Sequence, residues 1–218
     1  MRINKYISER LGVSRRKADK LIENRQVSIN GKLAQPGQSI SENDIVLVDN
    51  KALPEVPKIT TIMLNKPVGY VCSKDGQGSN TIYDILPSKY HSLNPVGRLD
   101  KDSSGLLLLT NNGNLHQELT HPKYIKEKVY NIIINKPLSD SDKQSIQTGV
   151  VLEDGISKLQ LVKSGHDGRT WIIKMHEGRN RQIRRTLGAL GYQVKKLHRT
   201  HFGSYSLNNL SNGSYKIL

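Results

Sequence analysis

The sequence predicts an α+β protein of two blocks, a small helix–helix–β-ribbon unit at 1–48 and a larger unit at 59–218. Helical periodicity occurs near the N-terminus, and residues 49–58 carry two prolines and no apolar periodicity, which is typical of a linker. Beyond them, runs rich in Val, Ile, Leu and Thr occur in mixed order with helical patterns. This order favours a mixed, largely antiparallel sheet.

The first block begins with two predicted helices. Gly12 ends the first helix, and Ser14 is a typical N-cap for the second. The apolar residues at helical spacing are Ile3, Tyr6, Ile7, Leu11, Ala18, Leu21 and Ile22. A β-ribbon is predicted next, because Val27 and Ile29 alternate with polar residues and Asn30–Gly31 is a strong hairpin turn.

The second block contains predicted strands separated by turns and helices. The predicted strands are Thr61–Leu64, Gly69–Ser73, Gly105–Thr110, Lys126–Asn135, Lys158–Lys163 and Thr170–His176. The predicted helices are Asn114–Thr120, Ser139–Thr148 and Arg179–Leu190.

The charge of the chain points to a polyanionic partner. Its 218 residues include 33 Lys and Arg against 19 Asp and Glu, a formal net charge of +14. Such an excess favours nucleic acid first and an anionic membrane surface second. No apolar run has the length of a membrane span, the N-terminus lacks a signal-peptide core, and Cys72 is a lone cysteine. We expect a cytoplasmic monomer without a metal site.

Cations of the first block are concentrated near its helices. They are Arg2, Lys5, Arg15, Arg16, Lys17 and Lys20. They can hold phosphates beside helix N-terminal amides, although most such runs are solvated helix faces. The block also resembles the S4 RNA-binding domain through R-I-N-K-Y-I at 2–7, S-R-R-K-A-D at 14–19 and V-S-I-N-G-K at 27–32. That resemblance implies structured RNA as the partner and specifies no reaction.

The sharpest motif of the second block is GRLDKDSSGLLLLTNNG at 97–113. Its D-x-D-x-S-G register is similar to a calcium loop, but the twelfth position is Asn111 where that loop needs Glu. Asp102 and Ser103 are predicted to be turn residues that satisfy local amides. Asp100 is the candidate for chemistry, because Arg98 stands two positions before it and a carboxylate among cations suits an anionic substrate.

A second cationic cluster, His176–Arg185, reads H-E-G-R-N-R-Q-I-R-R. Its arginines can form a phosphate-binding face, and a surface cationic helix is the plain alternative for Arg179, Arg181 and Arg185. Arg184 follows the apolar Ile183, so it is predicted to flank the buried stripe and to reach an acidic partner in a cleft.

Together these motifs resemble the RsuA-type bacterial ribosomal RNA pseudouridine synthases over residues 2–217. The motifs are Asn65–Lys66–Pro67–Val68–Gly69, Gly97–Arg98–Leu99–Asp100, Lys128–Val129–Tyr130, E-G-R-N-R-Q-I-R-R and Leu197–His198–Arg199. One departure is Thr186, where relatives often have Met. The ending G-S-Y-S-L-N-N-L-S-N-G resembles members that act on the large subunit, so 23S rRNA is expected rather than 16S.

The resemblance implies an isomerase that converts uridine in RNA to pseudouridine without cofactor or metal. It implies that Asp100 is the essential carboxylate and that Arg184 pairs with it. It also implies that Tyr130 stacks on the flipped-out base and serves in the proton transfer at C5. Arg98 then enters the space left by the flipped nucleotide. The expected RNA contacts are Arg98, Arg2, Lys5, Arg15, Arg16, Lys17, Lys20, Lys66, Arg179, Arg181 and Arg185. The partner is ribosomal RNA or a ribosomal subunit precursor.

Two alternatives remain at this point. A non-catalytic RNA-binding or ribosome-assembly factor explains the charge but leaves Asp100, Tyr130 and Arg184 without a role. A DNA-binding protein also fits the charge, but the chain offers no recognition helix beyond its short first block. A cleft in which Asp100 and Arg184 meet would favour the enzyme.

Overall fold

A computed structural model of the chain describes residues 1–121 and 123–218. The chain folds into two compact units, Met1–Ile59 and Thr60–Leu218. Within the two described ranges, no helix is both long and apolar enough to cross a membrane. The elements of the first unit are α1 (Ile3–Leu11), α2 (Arg15–Glu23), β1 (Val27–Ile29), β2 (Lys32–Leu33), β3 (Val46–Val48) and β4 (Lys51–Ala52).

Local signals of the first unit act as predicted. Gly12 ends α1 in the left-handed region at φ 64°, and the Ser14 hydroxyl accepts the Lys17 amide at 3.1 Å to begin α2. Asn30 and Gly31 both have positive φ and close the β1–β2 hairpin. Ile3, Ile7, Ala18 and Ile22 are buried together between the helices and the four-stranded sheet.

The predicted linker 49–58 lies within the first compact unit, and its beginning forms a strand. Lys51–Ala52 forms β4, which pairs with β3 across a tight turn at Asp49–Asn50. Both turn residues have positive φ, a conformation that Asp and Asn tolerate better than other side chains. The prediction of a linker throughout 49–58 was therefore wrong at its beginning, where Asp49–Asn50 forms a turn that leads into β4.

The described part of the second unit contains a nine-stranded mixed sheet, a two-stranded β9–β10 sheet, three α-helices and two short 3₁₀ helices, Ile82–Ile85 and Ser88–Tyr90. Its strands are β5 (Thr61–Lys66), β6 (Asn94–Val96), β7 (Ser104–Thr110), β8 (Lys128–Ile134), β9 (Val150–Leu152), β10 (Gly155–Ser157), β11 (Gln160–Ser164), β12 (Thr170–Met175), β13 (Val194–Phe202), β14 (Tyr205–Ser206) and β15 (Tyr215–Ile217). Its helices are α3 (Gly113–Thr120), α4 (Asp140–Thr148) and α5 (Gln182–Ala189).

The main sheet has the order β11-β12-β8-β13-β7-β5-β15, with β14 added to β13 and β6 added to β7. β13 and β7 are parallel, and the other pairings are antiparallel. Every residue of β7 is buried, because its alternate leucines pack into clusters on opposite faces of the sheet. The α+β prediction with a largely antiparallel sheet is confirmed.

Five of the six predicted strand runs correspond to strands, and Gly69–Ser73 does not. Its amides bond to neighbouring loops instead, Gly69 to the Lys101 carbonyl at 2.7 Å and Val71 to the Asn80 carbonyl at 2.9 Å. β13 was not predicted, although it is central to the sheet. Its sequence VKKLHRTHF lacks an apolar–polar alternation, and register shifts interrupt its pairing with β8.

Candidate active site

A cleft of about 760 Å³ opens in the second unit. The loop before β7, the inner part of β8, the loop before α5 and the end of β13 form its walls. Asp100 and Tyr130 both line it, together with Arg98, Arg181 and Arg199. The cleft thus brings carboxylates, aromatic rings and several cations together from separate parts of the sequence.

The backbone of the Asp100 loop is fixed from beneath. The buried Lys66 ammonium donates to the carbonyls of Asp100 at 3.0 Å and Ser103 at 2.7 Å. The Cys72 thiol lies 3.3 Å from the Leu99 carbonyl and 3.4 Å from the Leu99 amide. These contacts hold the loop while the Asp100 side chain stays about one-third exposed to the cleft.

Lys66 is therefore not the RNA contact that the sequence predicted. Its side chain is fully buried, and its third hydrogen bond goes to the Pro67 carbonyl at 3.0 Å. Burial lowers the pKa of Lys66, and the charges of Asp100 and Asp102 act in the opposite direction. Its three hydrogen-bond donors are thus all taken by carbonyl oxygens inside the protein, so none remains for a phosphate and its role is structural.

Arg181 joins the two acidic residues of the loop. Its guanidinium lies 3.5 Å from an Asp100 oxygen and donates to both Asp102 oxygens, at 3.0 and 3.1 Å. This hydrogen bonding lowers the pKa of Asp102 and raises that of Arg181. Asp102 was predicted to satisfy local amides, but its carboxylate instead binds an arginine that is distant in sequence.

Arg184 has a different partner from the predicted one. Its Nε lies 3.3 Å from the Asp102 carboxylate, and Nη2 donates to the Asp102 carbonyl at 2.8 Å. Nη1 donates to the Val194 carbonyl at 2.9 Å, so the side chain connects α5, the Asp100 loop and β13. Arg181 is the N-cap residue of α5, with a left-handed backbone at φ 46°, whereas Arg184 lies in the first turn, and Arg181 is the one of the two that lines the cleft.

Two other arginines of this cluster share the Asp154 carboxylate, and Arg179 also pairs with Glu177 at 3.1 Å. Arg179 and Arg185 contact Asp154 at 3.0 and 2.7 Å, and Arg179 also donates to the carbonyls of residues 154, 155 and 156. Both guanidiniums are engaged by the β9–β10 turn, and Arg179 also lines the cleft, so their contact with RNA stays a prediction. The departure at Thr186 is accommodated, since its buried hydroxyl lies 2.7 Å from that of Ser157.

The floor of the cleft is built on two paired strands. Tyr130 of β8 and Arg199 of β13 are cross-strand partners, and their side chains are only 8% and 2% exposed. The Arg199 guanidinium lies 4.9 Å from the centre of the Phe202 ring, and its Nε donates to the Leu106 carbonyl at 2.8 Å. Gly105 of β7 is the partner of Arg199 in the parallel pairing of β7 with β13. A Cβ atom at Gly105 would lie only 2.2 Å from the Arg199 carbonyl oxygen.

The predicted cations of the first unit are mainly exposed. Arg2, Arg15, Arg16, Lys17 and Lys20 have exposed side chains, whereas Lys5 pairs with Glu9 at 3.6 Å. Four of the exposed cations lie on α2, which therefore presents a basic face to solvent.

Comparison with known proteins identifies the family. Residues 60–189 match the RNA pseudouridylate synthase family, and residues 1–46 match the S4 domain. The chain belongs to the RNA pseudouridine synthases. Members of this family are isomerases that act on RNA, so the cleft described above lies in the catalytic unit of an RNA-modifying enzyme.

Several relatives cover the whole chain. An uncharacterized RNA pseudouridine synthase of Aquifex aeolicus is 36% identical over 90% of its own length. The dual-specificity RNA pseudouridine synthase RluF of Escherichia coli K12 is 37% identical over 75%, and the ribosomal small subunit pseudouridine synthase A of Haemophilus influenzae is 34% identical over 96%. A crystal structure of a pseudouridylate synthase matches with a TM-score of 0.72, 32% identity and coverage of 100% and 96%.

Sequence reasoning missed two features of the site. Asp102 and Arg181 form an ion pair that only the tertiary fold reveals, since they are 79 positions apart. Arg199 was part of the Leu197–His198–Arg199 motif but received no role, because no strand was predicted around it.

Proposed function

We propose that this enzyme converts a specific uridine of ribosomal RNA to pseudouridine, with Asp100 as the essential carboxylate and the target nucleotide flipped into the cleft. The observation that carries this proposal is that Asp100 and Tyr130 line one cleft with Arg98 and Arg181. Attack on a sugar carbon and removal of a sugar proton both need a carboxylate within reach of the bound nucleotide, and Asp100 is about one-third exposed to the cleft.

Each side chain has a role that its position supports. The Tyr130 ring offers a face on which an extruded base can stack, a contact that contributes about 1–3 kcal/mol in single-strand recognition. Arg98 is exposed at the rim, two residues before Asp100, and would occupy the gap in the RNA stack. Arg184 acts as a positioning residue through the Asp102 backbone, which keeps the Asp100 loop against β13.

RNA outside the cleft would be held by charge. The exposed cations of α2 suit phosphate contacts, which supply affinity without sequence information. The S4 match supports the same interpretation for the first unit. The phosphate contacts therefore bring the RNA to the enzyme, and the cleft selects the uridine.

The proposed substrate is ribosomal RNA, and 23S rather than 16S. The relative named for the ribosomal small subunit supports a ribosomal target. The similarity of the segment 203–213 to members that act on the large subunit favours 23S. Pseudouridine mapping of both RNAs from cells with and without the gene tests the choice, and a missing site in 16S alone would contradict it.

The catalytic proposal is tested by Asp100→Asn. This change is nearly isosteric and removes the charge, so folding and RNA affinity should persist while tritium release from RNA labelled at uridine C5 falls to background. Asp75→Asn, on an exposed loop of the same unit, is the matched control and should release tritium as the unmodified enzyme does. Normal release by Asp100→Asn would favour a role for this chain as a binding factor.

A further inference from the structure

Arg199 is a buried cation without an acidic partner among the described residues. Its Nε is bonded to the Leu106 carbonyl, but its Nη2 is buried and has no hydrogen-bond partner in that part of the chain. Of the other arginines that line the cleft, Arg181 pairs with Asp100 and Asp102, Arg179 pairs with Asp154 and Glu177, and Arg98 is exposed to solvent. An isolated buried charge is costly, so an unpaired guanidinium donor on a residue that lines a cleft indicates a partner that arrives with the ligand.

The fold holds Arg199 in place with specific features. The ladder between β13 and β8 shifts register between Arg199 and His201, and such irregularities re-aim side chains beside active sites. Gly105 allows the Arg199 backbone to approach β7 more closely than any side chain would permit. The cross-strand pairing with Tyr130 puts both side chains on the face of the sheet that lines the cleft.

We propose that Arg199 Nη2 donates a hydrogen bond to a carbonyl oxygen of the target uracil and stabilises the negative charge that this ring acquires during isomerisation. The inference rests on the proposed function, because it needs the uridine inside the cleft. The burial of Arg199 favours a base over a phosphate as its hydrogen-bond partner. Arg199 is 2% exposed beside Tyr130, whereas the exposed Arg98 at the rim suits the RNA backbone.

The reaction places negative charge on the uracil ring, where this donor can stabilise it. The C1′–N1 bond breaks and its electron pair stays on the uracil, where it is shared by N1 and the two carbonyl oxygens. The electron-poor C1′ is supported by the Asp100 carboxylate. A new bond then forms from C5 to C1′ with a pair from the ring, C5 loses its proton, and N1 gains one. A fixed donor at a carbonyl oxygen favours the charged ring over the neutral base.

The same donor can serve before and after the ring turns. Replacing N1 by C5 at C1′ requires a half-turn of the uracil about the line through N3 and C6. That half-turn exchanges the C2 and C4 carbonyls. A single donor beside this position would therefore bind one oxygen before the turn and the other oxygen after it.

The test combines an enzyme variant with altered substrates. Single-turnover rates and dissociation constants are measured on an RNA hairpin carrying the mapped uridine, or 2-thiouridine or 4-thiouridine in its place. Arg199→Met should lower the rate constant by about 100- to 1000-fold, as loss of an oxyanion donor does. Its affinity for RNA should stay near that of the unmodified enzyme. Lys196→Met, an exposed cation on the same strand, is the control and should keep the rate.

The thio-substituted hairpins separate the base contact from other roles. Sulfur is a poor acceptor, so the unmodified enzyme should be slowed, and Arg199→Met should show a much smaller thio penalty. An equal penalty in both enzymes, or a weakened affinity with a reduced salt dependence, would overturn the base contact. If Arg199→Met does not fold, an undiminished rate of the unmodified enzyme on both thio hairpins overturns it. Failure of the unmodified enzyme on the uridine hairpin would instead refute the proposed function.

Discussion

The ammonium of Lys66 lies 3.0 Å from the backbone carbonyl oxygen of Asp100, directly beneath the residue proposed for catalysis. The lysine comes from the end of β5, and the loop of Asp100 leads into the adjacent strand β7. The buried ammonium at the end of β5 thus fixes the loop that leads into the neighbouring strand β7. The carboxylate is left free to face the cleft because the loop is held by its backbone.

Lys66→Met should destabilise the second unit. The change leaves the Pro67 and Ser103 carbonyls without this donor, while Asp100 keeps the Ser103 amide at 3.1 Å. An unsatisfied buried group costs about 1–3 kcal/mol, so we expect a loss of about 2 kcal/mol in the free energy of unfolding. Urea denaturation measures it. Lys101→Met, on the exposed side of the same loop, should change stability by less than about 0.5 kcal/mol. Equal stability of both variants would contradict a structural role for Lys66.

Asp102→Asn should give a stability difference that depends on pH. The Arg181 hydrogen bonds lower the pKa of Asp102 below its usual value of 3.8, so folding favours the ionised carboxylate. Its contribution is present at neutral pH and is lost as the pH falls through the lowered pKa. Because the carboxylate is about half exposed, the difference at pH 7 should not exceed about 1 kcal/mol.

Thermal unfolding between pH 7 and pH 2.5 tests this expectation. The gap between the unmodified protein and Asp102→Asn should narrow on the acid side of pH 4. In an Arg181→Gln background the same substitution should produce a smaller gap at neutral pH, because the hydrogen-bond donor is gone. A gap that is constant across this range would show that the ion pair does not contribute to stability.

Local signals predicted the elements that local interactions stabilise. Gly12 and Ser14 set the boundary between α1 and α2 through a left-handed cap and a side-chain cap, both readable over a few residues. β13 was not predicted because its residues make tertiary contacts and do not follow the local apolar–polar alternation of a strand. Arg199 occupies a buried position that an apolar side chain would normally fill, so the alternation that predicts a strand is absent.

The site was predicted in part for a similar reason. Asp100 and Tyr130 stand in motifs that the family resemblance identifies, and both line the cleft. The partner of each charge could not be predicted, because it depends on where α5 begins and on how its first turn faces the loop before β7. Arg181, the N-cap residue, reaches Asp100 and Asp102, whereas Arg184, in the first turn, reaches Asp102 alone of the two.

The basic face of α2 should control the salt dependence of RNA binding. Replacing Arg15, Arg16, Lys17 and Lys20 by Gln should reduce the slope of log affinity against log salt by about 0.7–0.9 for each phosphate that the helix no longer neutralises. Filter binding at several salt concentrations measures the slope. Lys32→Gln with Lys51→Gln removes two exposed cations from the edge strands β2 and β4 and is the control. An equal reduction per charge in both variants would show that phosphate binding is not specific to α2.

Arg98→Ala should impair RNA opening more than chemistry. Arg98 is exposed at the rim of the cleft and follows Gly97, whose φ of 69° turns the chain just before it. Unpairing and unstacking a base costs a few kcal/mol, and an arginine that fills the vacated space offsets part of this cost. The variant should therefore lose about 10- to 100-fold more turnover on a duplex target than on RNA whose target uridine is already unpaired. Steady-state pseudouridine formation on the two RNAs gives this ratio.

The control is Arg169→Ala, which removes an exposed arginine paired with Asp167 and should leave both rates unchanged. Equal losses on the two RNAs would place Arg98 in the chemical step or in general RNA binding instead.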